Sequence, residues 1–326
     1  MAKKIKDTDY LFLSSYIHAK ESKLIGKAGL ERMLEARDVE DALTALAEAW
    51  QLNFEAEDIS AFEQILAKRR YDVLAEMSKF APNPAIVDAF RVKYDYHNAK
   101  TLVKSQCAGV PADHLLIASG RVAPEKLIAA FLENNFRDLP EKMSSAIKEA
   151  VDILAKTSDP QLSDFALDKA YFYEFQTYAD ESGSEFLKGY VKLSVDAANL
   201  RSSVRAVRAR QEQALLDGGA VTPDRIKKAI SKPETLPDLF NGTELHTAVG
   251  AAKAAITGGA VTEFELLTDN ALLKYLAQAK SSGFSEKPLI GYICAVENEI
   301  AAVRTVMVGR FAGIDPATIK SRLREV

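Results

Sequence analysis

VDAANLRSSVRAVRARQEQ, from Val195 to Gln213, places four arginines within ten residues of a chain whose formal net charge is -4. Within and just before it, Leu193, Ala197, Leu200, Val204 and Val207 alternate four- and three-residue spacings, which is the buried stripe of an α-helix. Arg201 and Arg205 each follow a stripe residue by one position, so they lie at the edge of that stripe and not on the opposite face. The same pattern occurs 101 residues earlier as Val92, Tyr96, Ala99, Val103 and Gln106, with Lys100 and Lys104 at the edge. A third copy reads Ile293, Val296, Ile300, Val303 and Met307, with Arg304 one position after the stripe. An edge cation recurring in three copies predicts a shared surface around an axis, and Lys100, Lys104, Arg201, Arg205 and Arg304 are the candidate partner-binding residues.

The repeat extends beyond this helix. Three segments align: Phe62 to Lys104, Phe165 to Arg205 and Phe264 to Arg304. From each leading phenylalanine to the acidic residue of the second helix (Asp95, Asp196, Glu297) the separations are 33, 31 and 33 residues. Each segment follows a glycine turn and a short helix: GLERMLEA at Gly29, GRVAPEKLIAAF at Gly120 and GAVTPDRIKKAI at Gly219. Spacing this constant marks an internal repeat of about one hundred residues. YIHAKESKLI (Tyr16 to Ile25), with Lys20 in a comparable place, reads as a fourth helix of the same type.

Helical periodicity runs through the chain, as in LERMLEARDVEDALTALAEAW (Leu30 to Trp50), and strand-like alternation is missing from the sequence pattern. Helix starts are marked at Thr222-Pro223 and Asp315-Pro316, and Thr262 with Glu265 reads as a capping box. The fold class expected is therefore all-α, with three pseudo-equivalent helical bundles around a pseudo-threefold axis. Residues 1–115 hold the N-terminal helix and the first repeat, 116–215 the second and 216–326 the third.

Composition narrows the chemistry. Apolar residues make up 48% and charged residues 27% of 326 positions, the profile of a folded globular protein. Overall acidity removes any global attraction to nucleic acid. Cys107 and Cys294 form no C-x-x-C pair, and His18, His97, His114 and His246 are scattered without an i, i+4 partner, so neither a metal nor a cofactor is expected. The GGAVT sequences at Gly218 and Gly258 match no phosphate loop and read as helix caps. Asp164 and Asp168 share a helix face and could pair as acid and base, although such carboxylates are commonly salt-bridged. The aromatic run YFYEF, Tyr171 to Phe175, reads as core with wet phenolic tips. Asp95 with Asn98, and Asp196 with Asn199, read as a partly buried hydrogen-bond network fixing how helices meet. No run approaches the roughly 20 apolar residues of a membrane span, and Asp7 and Asp9 interrupt any signal-peptide pattern, so a cytoplasmic protein is expected.

YDYHNAKTLVK, VDAANLRSSVR, IGYICAVENEIAAVRTVMVGRFAGI and YIHAKESKLI together resemble the motif helices of the C subunits of archaeal and bacterial V/A-type ATPases, which are related to the d subunit of the eukaryotic vacuolar enzyme. The resemblance covers nearly the full chain. Ala99 stands where the family usually has leucine, and Ser22 where arginine is common. It implies an all-helical funnel without a catalytic site, a socket joining the central stalk subunits D and F to the membrane rotor ring of c/K subunits. Such a protein would be peripheral on the cytoplasmic face of the membrane. The alternative from a different class is an α-helical repeat scaffold that binds RNA or acidic proteins through the basic stripe. A weaker one is an enzyme using Asp164 and Asp168.

Overall fold

The computed structural model describes residues 6–52, 58–209 and 214–324. Among them every regular element is helical. The α-helices are α1 (Leu11–Glu21), α2 (Gly26–Glu35), α3 (Val39–Trp50), α4 (Ile59–Phe80), α5 (Pro84–Ala108), α6 (Pro124–Leu132), α7 (Glu141–Thr157) and α8 (Pro160–Ser182). They continue with α9 (Glu185–Ala209), α10 (Pro223–Ile230), α11 (Leu236–Leu239), α12 (His246–Ile256), α13 (Val261–Ala277), α14 (Lys287–Phe311) and α15 (Pro316–Lys320). No helix among the described residues is long and apolar enough to cross a membrane.

Local chemistry sets many helix starts. The side chains of Asp38, Asp58, Asn83, Asp159 and Asp315 each accept a hydrogen bond from a backbone N–H two or three residues on, satisfying amides that the first turn leaves unpaired. Proline opens α5, α8, α10 and α15, where its missing N–H costs nothing. Two expectations need correction. Thr222 precedes Pro223 as read, but its side chain makes no cap bond. The Thr262–Glu265 capping box does not form, because α13 starts at Val261 with Ala260 as its cap and Thr262 already lies inside the helix.

The three repeat copies appear as helix pairs: α4–α5, α8–α9 and α13–α14. The second member is 25 residues long in every copy. These second helices are buried over a wide arc. In α5 the predicted stripe residues Val92, Tyr96, Ala99 and Val103 are all buried, and the stripe ends before Gln106, which is exposed. In α9 Leu193, Ala197, Leu200 and Val204 are buried, while the Val207 side chain lies outside the described residues. In α14 all five predicted stripe residues are buried, together with Leu289, Ile290, Ala302 and Val306. A helix this apolar on most sides belongs at the centre of its bundle.

Two compact units result, one from residues 1–82 with 240–326 and one from residues 83–239. In the first unit α14 packs on α4, and also on α1, α2, α3, α13 and α15. In the second, α5 packs most extensively on α8, with α7 against both, and α9 packs on α8 and α10. The packed pairs are therefore offset from the sequence pairs. The second helix of copy one (α5) embraces the first helix of copy two (α8), and the second helix of copy three (α14) embraces the first helix of copy one (α4). Asn83 Nδ2 donates to the Ser182 carbonyl at 3.0 Å, tying the start of α5 to the end of α8.

Candidate functional site

Asp95 and Asn98 sit one turn apart on α5, so both project from one face of that helix into the bundle. Both are fully buried. Asp95 Oδ1 accepts from the backbone N–H groups of Arg121 at 2.8 Å and Val122 at 3.0 Å. Asn98 exchanges two bonds with the Ile117 backbone: Nδ2 donates to its carbonyl and Oδ1 accepts from its N–H, each at 2.8 Å. Together they clamp the segment that leads into α6, where Arg91 also donates to the Ser119 and Gly120 carbonyls.

The same clamp recurs in α9. Asp196 accepts from the Ala220 N–H at 2.9 Å and the Val221 N–H at 3.1 Å. Asn199 donates to the Leu216 carbonyl at 2.8 Å and accepts from its N–H at 2.7 Å. The glycines preceding these amides have a steric reason. A Cβ at Gly120 would overlap Asp95 Oδ1, and one at Gly219 would overlap Asp196 Oδ1. The Asp-x-x-Asn pairs thus tie α5 to the segment leading into α6 and α9 to the segment leading into α10.

In the third copy the acid is not Glu297, as the repeat spacing suggests, but Glu299. Glu299 is 2% exposed and its Oε2 accepts from the Ile25 N–H at 2.6 Å, at the residue preceding α2. Its Oε1 accepts from Trp50 Nε1 at 3.1 Å and from Arg69 Nε at 2.8 Å. Arg69 also stacks over the Trp50 ring at 4.3 Å. Glu297 instead pairs with Arg70 at 3.0 Å. The glycine alignment shifts too: Gly29 lies within α2 against the Ile25 side chain, and the clamped position is Ile25.

Arg121 completes the first clamp. Its guanidinium reaches Asp95 at 2.6 Å, Glu174 on α8 at 3.2 Å and the Tyr178 hydroxyl, and Tyr96 donates to Glu174 at 2.6 Å. Burial pushes the Asp95 carboxyl above its usual range, opposed by the Arg121 charge and the two amides. Burial likewise raises Asp196, opposed by the Val221 and Ala220 amides and by the charge of Lys192. Burial alone would lower the Arg121 pKa, but Asp95 and Glu174 raise it.

Of the predicted edge cations, Lys100, Lys104 and Arg304 face neighbouring helices. Lys100 pairs with Asp168 at 2.5 Å and Lys104 with Asp164 at 2.6 Å, joining α5 to α8. Both carboxylates of the conceivable acid/base pair are thereby engaged by lysine. Arg304 on α14 pairs with Glu63 on α4, and Lys20 on α1 pairs with Glu76 on α4 at 2.9 Å. Arg201 is partly exposed and Arg205 exposed on α9. The YFYEF run is only partly core: Phe175 and Glu174 are buried, Tyr171 and Phe172 half-buried, and Tyr173 57% exposed. Cys107 is exposed and Cys294 buried, both as free thiols. Among the described residues no group of three or more His, Cys, Asp or Glu side chains could hold a metal.

The family model of the ATP synthase (C/AC39) subunit matches residues 13–322, a span that contains all three clamps. The chain belongs to this family. A C/AC39 chain is a structural and not a catalytic part of a V- or A-type ATPase complex, which accords with side chains spent on joining helices. A relative from Enterococcus hirae, the C subunit of a V-type sodium ATPase, is 22% identical over 328 residues, covering 98% of this chain and 99% of its own length. The C subunit of the A-type ATP synthase from Methanocaldococcus jannaschii is 22% identical, covering 96% of this chain and 86% of its own length. Its namesake from Haloferax volcanii is 24% identical over 92% of this chain.

Sequence reasoning missed Arg121, Glu174, Arg69 and Trp50. A signal existed for the first: GRV at Gly120 and GAV at Gly219 differ only by an arginine in a turn of otherwise small residues.

Proposed function

We propose that this chain is the socket of a V/A-type rotary ATPase, receiving the central shaft of subunits D and F and resting on the membrane rotor ring of c/K subunits. The observation that carries the reading is the C/AC39 match along nearly the whole chain. In this reading the three repeats, residues 1–115, 116–215 and 216–326, form three pseudo-equivalent bundles around a pseudo-threefold axis, arranged as a funnel. The protein then works at the cytoplasmic face of the membrane, held there through the complex. Proton or sodium flow and ATP turnover occur in other subunits, and this one passes torque between them. The demands of that task match the chain's design. Torque transfer needs stiff helices, and the 25-residue second helices are long, centrally packed and pinned by buried acids.

Lys100, Lys104, Arg201, Arg205 and Arg304 are the proposed contact residues for shaft or ring. Lys100, Lys104 and Arg304 already balance carboxylates on packed helices, so their contacts to a partner would share an existing ion pair. Arg201 and Arg205, partly exposed and exposed on α9, are the pair to test. In the double variant Arg201→Glu, Arg205→Glu, like charges would face a partner selected for arginine, weakening association and increasing its salt dependence. The expected result is at least tenfold weaker capture of the purified shaft or ring by a variant with wild-type circular dichroism. Equal capture of both would remove these two residues from the interface.

A further inference from the structure

The three clamps are built alike but are not backed alike. In the clamp on α5, the residue after Gly120 is Arg121, which binds Asp95, Glu174 and Tyr178 with one guanidinium. Lifting the 117–122 segment from α5 would break that set and leave Asp95 and Glu174 buried without their cation, which is strongly unfavourable. In the clamp on α14, Arg69 and Trp50 close over Glu299. In the clamp on α9, the residue after Gly219 is Ala220, whose side chain offers nothing to Asp196. Asp196 is held by two backbone amides, and among the described residues no ion pair reaches it; the exposed Lys192 acts on it only through its charge. Opening this segment costs hydrogen bonds that water replaces, and it strands no counter-charge.

The segments that follow bury apolar side chains to a similar extent: Val122, Leu127, Ala130 and Phe131 on one side, and Leu216, Val221, Ile226 and Ala229 on the other. The difference lies in the clamps. Leu127, Ala130 and Phe131 of α6 are buried, and Phe131 packs edge-on against Phe136 at 5.1 Å. In α10 Ile226 and Ala229 are buried, while Arg225, Lys227 and Lys228 point to solvent. A clamp without a keystone lowers the free energy of local opening.

We infer that the Asp196 clamp is the compliant joint of this protein, where the segment from Leu216 through α10 separates from α9 while the segment from Ile117 through α6 stays latched to α5. This property follows from the geometry of residues 83–239 alone and does not depend on which complex the chain serves. It places a yielding point beside the Arg201 and Arg205 helix, so that strain applied to α9 would be relieved there first.

The clamp amides are their own reporters. Native-state hydrogen exchange of the full-length chain, resolved to single amides, gives protection factors for Leu216, Ala220 and Val221 and for their counterparts Ile117, Arg121 and Val122. The expected result is protection at least tenfold lower in the first set. Equal protection, or lower protection at Ile117, Arg121 and Val122, would overturn the inference. A second measurement uses Asp196→Ala. If the joint opens locally, exchange at Leu216 should rise further while Ile117 is unchanged; equal acceleration at both would mean that the two clamps open as one and that no separate joint exists.

Discussion

Glu299→Ala is expected to lower the stability of the unit formed by residues 1–82 and 240–326 by about 3–5 kcal/mol, the cost of removing one partner from a buried charged pair. Glu299 is 2% exposed and serves three groups at once: the Ile25 amide, the Trp50 indole and the Arg69 guanidinium. Without it, a guanidinium only 14% exposed keeps the Trp50 ring as its neighbour but has no carboxylate there. The Ile25 N–H and the indole N–H lose their acceptor as well. Glu299→Gln should fall between wild type and alanine, since it keeps one carbonyl oxygen but turns an amide toward a backbone donor. Urea unfolding followed by Trp50 fluorescence would read both, because this is the chain's single tryptophan. A loss below 1 kcal/mol for the alanine variant would mean that the acid is not the centre of the third clamp.

Gly120→Ala should be nearly as damaging, on the order of 3 kcal/mol, from overpacking together with weakened bonds to Asp95. The added methyl would occupy the place of Asp95 Oδ1 and force the carboxylate away from the Arg121 and Val122 amides. Gly219→Ala should act in the same direction through Asp196. The control is Gly250→Ala. Gly250 lies inside α12, exposed and with nothing within contact of a new Cβ, so alanine there should stabilise by about 0.5–1 kcal/mol through helix propensity. Equal effects at Gly120 and Gly250 would show that close approach to the acid is not what selects glycine.

Much of the fold was legible in the sequence, because it follows from spacing. Most of the stripe positions of α5, α9 and α14 could be read from spacing, Gln106 being the exception that turned out exposed, and the Asp-x-x-Asn pairs are the buried networks they were read to be. What spacing could not reveal was partnership. Nothing local tells α5 to pack on α8, or α4 to pack on α14; that depends on side-chain volumes contributed by segments far apart in the chain. The register of α14 was lost for a related reason. It is apolar on most sides, so the acid at 297 and the acid at 299 both flank credible stripes, yet two residues on a helix are about 200° apart. Only the burial of Glu299 beside Arg69 decides between them. The edge cations were legible as a pattern. The carboxylates they meet, Asp164, Asp168 and Glu63, were visible only as charges on other helices.

The proposed coupling role is tested by comparing two activities of the same complex with and without this chain. Ion pumping into sealed vesicles and ATP hydrolysis by the headpiece would be recorded before depletion, after depletion and after adding back the purified protein. Pumping is expected to fall to background on depletion and to return on add-back, while hydrolysis by the released headpiece persists throughout. Loss of hydrolysis together with pumping, and its return on adding this chain, would contradict the proposed role.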